Sequence, residues 1–221
     1  MIEKLTRRLS RLGALAEPAR RDLYLYVVSQ PQPVGRDQAA ADTGLPRHVV
    51  KFHLDRLVDE GLLEVEYRRL SGRRGPGAGR PAKLYRRAAG EISVSLPERH
   101  YELVGRIFAE AIRDNISNDT PIAAAVAGAA ARAARRIARE APADAPTVLS
   151  SCGYEPRTEG DRTVFANCPF DALAQHDRDL VCGMNREFVA ALMDELGRTD
   201  VEARLDPQPP RCCVVVQPAL T

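Results

Sequence analysis

A short turn formed by Gly44, Leu45 and Pro46 restricts the possible folds of this 221-residue chain more than any other segment. Glycine just beyond a helix end adopts the left-handed backbone that stops helices, and proline is favoured in the first turn of a helix. The pattern therefore predicts one helix over 36–43 and a second over 46–60. Two helices joined by such a tight glycine-containing turn are typical of a helix-turn-helix.

The second of these helices is predicted to have one apolar and one polar face. Val50, Leu54 and Leu57 recur at helical spacing and are expected in the core. The opposite or leading face carries Arg47, His48, Lys51 and Phe52. The N-terminal residues of a recognition helix meet base edges in the major groove, where arginine and lysine donate to guanine or phosphate. We therefore expect these four residues to contact DNA, and we expect the helix's histidines to pack or contact phosphate instead of binding metal.

A basic loop between two predicted strands is the second candidate DNA contact. Strands over 61–65 and 83–86 enclose the loop 68–81, which contains Arg73, Arg74 and Arg80. An arginine in an extended loop can enter a narrow minor groove, where the negative potential is enhanced. Residues 1–90 also hold 18 Lys and Arg against 10 Asp and Glu, which suits a phosphate-binding module but also a solvated surface. Together the features predict a winged helix-turn-helix.

The chain after residue 90 is predicted to contain a helical region and then a mixed domain. Apolar residues at helical spacing predict a helix over 98–116, which we expect to mediate dimerisation, and an alanine-rich helix over 121–140, which we expect to pack against its neighbours. The later pattern predicts strands over 147–154, 162–167, 201–205 and 212–217, and a helix over 185–196. The expected fold class is α+β. Its expected domains are a DNA-binding domain at 1–90, a dimerisation region at 91–145 and a small α+β sensor domain at 146–221.

Composition argues against several classes of protein. Lys or Arg interrupts every apolar stretch before it reaches membrane-spanning length, so we expect no membrane association. Residues 1–10 have no apolar core after their basic residues, so we expect no secretory signal. A cytoplasmic location with reduced thiols follows. The sequence has no Ser/His/Asp arrangement, phosphate loop or HExxH motif, and we therefore do not expect an enzyme.

The candidate metal ligands are Cys168, Cys182, Cys212 and Cys213. Their wide spacing means that they would come from different elements of a folded domain, and the lack of a Cys-x-x-Cys pair disfavours a zinc ribbon or thioredoxin-type site. Cys168 precedes a proline, as in bacterial ferredoxin ligand runs. Adjacent strand residues point to opposite faces, so at most one of Cys212 and Cys213 is expected to join a site. Simple packing of buried cysteines is the alternative, and Cys152 is expected to be structural.

Two parts of the chain resemble known bacterial regulators. Residues 45–63 (LPRHVVKFHLDRLVDEGLL) with 79–86 (GRPAKLYR) are similar to the winged helix of ArsR/DeoR-like regulators. Residues 167–185 (NCPFDALAQHDRDLVCGMN) with 203–216 (ARLDPQPPRCCVVV) resemble the C-terminal domain of SufR-type regulators. The resemblance implies a homodimer that binds a double-stranded DNA operator. It further implies repression of iron–sulfur assembly genes while an iron–sulfur cluster, of the 4Fe–4S or 2Fe–2S type, is bound.

The same resemblance implies that Cys168, Cys182 and one of the adjacent pair are the ligands. A pattern of four separate cysteines is not present, so a fourth ligand would be another group. The candidates are His176, Asp179, Asn185 and a carboxylate of the partner chain. Two other sensors stay open: a zinc- or heavy-metal-sensing repressor that uses the same thiolates, and a repressor that binds a small organic ligand in the α+β domain.

Overall fold

A computed structural model of the protein describes residues 2–69, 81–140 and 144–219. The fold is mixed α+β, as predicted, and divides into two compact units, Met1–Val94 and Ser95–Thr221. Each unit has its own buried apolar core. Within the described ranges, no helix combines the length and apolar character that crossing a membrane requires.

The described part of the N-terminal unit combines four α-helices with a small antiparallel sheet. The helices are α1 (Ile2–Gly13), α2 (Pro18–Ser29), α3 (Arg36–Thr43) and α4 (Arg47–Asp59), with a 3-10 turn at Ala14–Ala16. The strands are β1 (Val34–Gly35), β2 (Leu63–Arg68) and β3 (Ala82–Arg87), and β3 lies in the middle of the sheet. Strands β2 and β3 follow α4 in the chain and form a paired ribbon, and β1, which precedes α3, pairs with the other edge of β3.

The turn between α3 and α4 has the predicted backbone. Gly44 has a φ of 70°, and its amide donates to the carbonyl of Ala40 at 3.0 Å. A side chain at this φ would be strained, which explains why glycine ends α3. Helix α4 begins at Arg47, directly after Pro46. The two helices predicted from the sequence are thus present, with α4 one residue shorter at each end.

Asp55 connects α4 to the sheet. Its Oδ1 accepts hydrogen bonds from Lys83 Nζ at 2.5 Å and from the Tyr85 hydroxyl at 2.9 Å. Burial by itself would raise the pKa of the Asp55 carboxyl. The hydrogen bonds from Lys83 and Tyr85 and the charges of Lys83 and Lys51 outweigh burial, so the pKa is lowered. The charged carboxylate is therefore the form that the folded unit favours.

We expect this carboxylate to make the N-terminal unit sensitive to acid. Because its folded pKa is depressed, its contribution is complete above the unfolded aspartate pKa and is lost as the pH falls through the folded pKa. Asp55→Asn should lower the free energy of unfolding near neutral pH and flatten its decrease below about pH 4. Urea unfolding at a series of pH values measures both effects. Asp59→Asn, on the exposed side of α4, is the matched control, and equal acid slopes in the two variants would contradict the assignment.

The C-terminal unit packs helices against a four-stranded antiparallel sheet. Its described helices are α5 (Tyr101–Asn118), α6 (Ile122–Glu140), α7 (Ala145–Ser151), α8 (Asp171–His176) and α9 (Arg178–Glu195). Its strands are β4 (Pro156–Glu159), β5 (Arg162–Phe165), β6 (Val201–Leu205) and β7 (Val214–Pro218), in the order β4-β5-β7-β6. Helix α6 packs against both α5 and α9, so the helices of the predicted dimerisation region share one core with the later elements.

Local capping explains where the structure departs from the predicted elements of this unit. Most of the predicted strand 147–154 is helix α7, because the Asp144 side chain accepts the amide of Thr147 at 2.8 Å and Pro146 occupies the first turn. Helix α9 begins well before residue 185, because Asp177 caps it by accepting the amide of Leu180. The last strand begins at Val214, so Cys212 and Cys213 precede it.

Candidate functional site

The outer face of α4 carries the four side chains that were predicted to contact DNA. Arg47, His48, Lys51 and Phe52 are all exposed, whereas Val50, Leu54 and Leu57 are fully buried. Phe52 is 63% exposed, which is unusual for a large aromatic ring. The helix therefore presents cationic, imidazole and aromatic groups together on a surface backed by a rigid apolar stripe.

Arg47 is held by an acidic neighbour on α3. Its guanidinium forms an ion pair with Asp37, and Nη2 donates to Asp37 Oδ2 at 3.1 Å. Both side chains are mostly exposed, and ion pairs of this kind contribute little net stability. The pair thus orients Arg47 at the start of α4 and leaves the guanidinium able to exchange the carboxylate for another anion.

His53 has a different environment from His48. It is buried, its Nδ1 accepts a hydrogen bond from Arg20 Nε at 3.3 Å, and the same atom lies 3.5 Å from Glu17 Oε2. The neighbouring Phe52 ring meets the imidazole edge to face at 5.3 Å between centroids. His53 therefore packs α4 against α2, which is the packing role expected from the sequence.

The β2–β3 ribbon runs from the pair Leu63–Arg87 to the pair Arg68–Ala82. Arg73, Arg74 and Arg80 belong to the predicted loop beyond it and lie outside the described residues. At the loop end of β2 the structure exposes Tyr67 by 66%, together with Arg68. Sequence reasoning missed Tyr67, although its position next to a basic loop was a usable signal.

Four cysteines of the C-terminal unit come together, and we call them the thiol cluster: Cys168, Cys182, Cys212 and Cys213. Cys168 lies near Cys212 and Cys182 lies near Cys213, so that each thiol shifts the pKa of its neighbour. Cys168 lies between β5 and α8, Cys182 lies in α9, and the adjacent pair precedes β7. The argument that only one of Cys212 and Cys213 would join the site does not apply, because both residues precede β7 and lack the strand alternation that it assumed.

The thiols of this cluster differ in acidity. Hydrogen bonding from Cys212 lowers the pKa of Cys168, with help from the Phe170 amide and the Arg99 charge against the effect of burial. Burial and the neighbouring Cys213 raise the pKa of Cys182 to about 12. Its hydrogen bond to Cys168, together with burial, raises the pKa of Cys212 well above the ordinary range. Cys168 is therefore a thiol whose pKa is lowered, which favours the thiolate, and the thiolate is the form that binds metals and attacks electrophiles.

Asn185 supports the cluster from the buried side. Its Nδ2 donates to Cys212 Sγ at 3.4 Å, and its Oδ1 accepts a hydrogen bond from the Tyr154 hydroxyl. Asn185 was one candidate for a fourth ligand, but the group that faces the sulfur is an amide donor, which cannot ligate a metal. The other two candidates, His176 and Asp179, are exposed side chains.

A second polar group fixes the turn that carries Cys168. Asn167 is buried, and its Nδ2 donates to the carbonyls of Glu98 at 2.9 Å and Gly153 at 2.6 Å. Arg99 Nη1 donates to the Cys168 carbonyl at 3.1 Å and also to Asn167 Oδ1. Sequence reasoning did not single out Asn167 or Arg99, because their partners are far away in the chain.

Cys152 stands apart from the paired thiols. It is buried at the end of α7, where burial raises its pKa to about 11, and its side chain hydrogen-bonds with Ser151. A protonated, buried thiol behaves as a small apolar side chain. This environment suits the packing role expected for it.

A cavity of about 370 Å³ opens beside the thiol cluster. Cys168, Cys212 and Cys213 contribute to its wall, together with α8 residues, Arg178 and the 207–211 segment. Four thiols form a donor set that suits iron–sulfur clusters and zinc. Across the described ranges, however, no three or more Cys, His, Asp or Glu side chains stand in the arrangement that holds a single metal ion. The donor chemistry fits such a group, and binding would require the paired thiols to rearrange.

Neither a protein-family model, nor a curated protein, nor a solved structure matches this chain.

Proposed function

We propose that this protein is a DNA-binding transcription regulator of the cytoplasm and not an enzyme, with a winged helix-turn-helix in its N-terminal unit. The observation that carries the proposal is the outer face of α4, which exposes Arg47, His48, Lys51 and Phe52 directly after the α3–α4 turn. An α-helix fits the major groove of B-form DNA, and residues near its N-terminus read base edges. Arg73, Arg74 and Arg80 would contact the adjacent minor groove.

We further propose that the protein acts as a homodimer. Two recognition helices would then meet half-sites about one helical turn apart. Ile112 and Ile116 of α5 are 53% and 77% exposed, although isoleucine is usually buried. These side chains support α5 as the dimer helix.

Lys51→Ala is expected to weaken operator binding by about 1–3 kcal/mol, because it removes a cation from the centre of the exposed α4 face. Selection from a randomised duplex library first identifies the preferred sequence, and fluorescence anisotropy then gives the affinities. Arg21→Ala removes the same charge from exposed α2 and should have little effect. If the library yields no enriched sequence, or if both variants lose equal affinity, α4 is not the recognition helix.

For the C-terminal unit we propose an iron–sulfur cluster as the regulatory group, held by the thiol cluster. The cluster, when bound, supplies sensitivity to oxidants and to iron supply. Cys168, whose pKa is lowered, supplies a thiolate, and Asn185 orients Cys212 from the buried side. By the resemblance of the two sequence segments, the bound form would repress iron–sulfur assembly genes. To act as a switch, the cluster must bind the DNA-competent form more tightly than the other form.

Two other sensors each have one supporting observation. The thiols lie in neighbouring pairs, which suits the small tetrahedral site of zinc. The cavity is large enough for a small organic ligand. The visible absorption spectrum of protein purified without oxygen separates these cases. An iron–sulfur cluster absorbs in the visible range, whereas a zinc site and an empty cavity do not.

A further inference from the structure

The cavity beside the thiol cluster contains an arginine with unused hydrogen-bonding capacity. Arg211 lines the cavity, and its Nη2 donates to Asp206 at 2.8 Å. Its Nη1 is buried, and no described residue accepts a hydrogen bond from it. Leaving a buried guanidinium N–H unmatched is unfavourable, so the site is suited to an acceptor from outside the chain.

The charges around the cavity favour an anionic acceptor. Arg178 and Arg211 both line it. The single carboxylate of Asp206 pairs with two arginines, Arg211 at 2.8 Å and Arg162 at 3.6 Å. One negative charge cannot neutralise these two positive charges. The lining carboxylate, Asp171, lies 3.8 Å from Arg99 and accepts a hydrogen bond from Gln175. Guanidinium groups bind carboxylates through strong, charge-assisted hydrogen bonds.

The same cavity gives access to two neighbouring thiols. Cys168 is half-buried and lines the cavity. Cys212 also lines it and is only 2% exposed. An accessible nucleophilic sulfur next to a buried second sulfur is the arrangement needed for thiol–disulfide exchange.

We propose that the cluster-free protein binds a small acidic disulfide in this cavity and is oxidised by it through Cys168 and Cys212. The Cys168 thiolate attacks one ligand sulfur, the ligand S–S bond breaks, and the first thiol leaves after taking a proton from water. Cys212 then attacks the Cys168 sulfur, the mixed S–S bond breaks, and the Cys212 proton passes to the second ligand sulfur, which leaves as a thiol while the Cys168–Cys212 disulfide forms. The protein loses two electrons, and the ligand disulfide gains them.

Reduced, cluster-free, full-length protein is mixed with glutathione disulfide as the acidic probe and with bis(2-hydroxyethyl) disulfide as the neutral one. In wild type, mass spectrometry should locate a Cys168–Cys212 disulfide. In Cys212→Ser it should locate one glutathione on Cys168. The rate of oxidation by glutathione disulfide, divided by the rate with the neutral disulfide, should fall about tenfold in Arg211→Gln, because a charge-assisted hydrogen bond to the acidic probe is lost.

Arg157→Gln changes an exposed arginine of β4 outside the cavity and should keep the wild-type ratio. Circular dichroism confirms that the variants are folded, and Arg178→Gln replaces Arg211→Gln if the latter is not. An unchanged ratio in the folded cavity variant, or labelling at Cys182 or Cys213 in place of Cys168, would overturn the proposal. Because the assay uses neither DNA nor bound cluster, its failure is independent of the proposed regulatory function.

Discussion

Cys168→Ser is expected to remove the iron–sulfur cluster that we propose for this protein and to weaken operator binding about 5- to 150-fold, the usual range of coupling between two sites. In the thiol cluster, hydrogen bonding from Cys212 and from the Phe170 amide lowers the pKa of Cys168 and so favours its thiolate. Serine keeps the size of the side chain and removes the soft donor. Iron and sulfide assays and the visible spectrum, all under anaerobic conditions, measure the first effect, and anisotropy measures the second.

Cys152→Ala is the matched control, because Cys152 is a buried cysteine of the same unit that lies apart from the paired thiols. It should keep the full iron and sulfide content. A Cys168→Ser protein with wild-type iron, sulfide and operator affinity would refute the assignment of the thiol cluster as the sensor. Equal losses in both variants would instead indicate general damage to the fold.

Leu54→Ala should destabilise the N-terminal unit by about 2–5 kcal/mol, since it empties a fully buried position on the inner face of α4. Operator affinity at physiological temperature should also fall, because the buried apolar residues of α4 hold its outer face in position. Urea unfolding followed by circular dichroism gives the free energy. Leu25→Ala provides the comparison, because Leu25 is 54% exposed on α2 and its loss should cost within about 0.5 kcal/mol. Similar values for both leucines would show that α4 is not anchored as described.

The α3–α4 segment could be predicted because its signals are local. Gly44 needs a backbone that other residues avoid, and the apolar spacing of Val50, Leu54 and Leu57 determines which face of the next helix is buried. Helix α7 was mistaken for a strand because Val148 and Leu149 form an apolar pair that suits either structure. The deciding contact was the Asp144 cap, which outweighs a weak β-propensity.

The convergence of four thiols could not be read from the spacing of the cysteines. Cys168, Cys182 and the adjacent pair belong to three segments, and only the packing of α9 beside the sheet brings them together. The face argument for Cys212 and Cys213 fails because the strand predicted over 212–217 begins two residues later, at Val214. The hydrogen bond from Asn185 to Cys212 could not be predicted either. It depends on which turn of α9 faces the sulfur, and the helix predicted from the sequence began only at residue 185.

Cys212 and Cys213 are consecutive, yet Cys212 lies near Cys168 and Cys213 lies near Cys182, so one peptide unit connects the two thiol pairs. Their α-carbons are separated by only about 3.8 Å. A group that moves one of these pairs would therefore also move the other. If the thiol cluster holds the iron–sulfur cluster that we propose, the doubled cysteine would couple the two pairs during loading and so favour full loading over half loading.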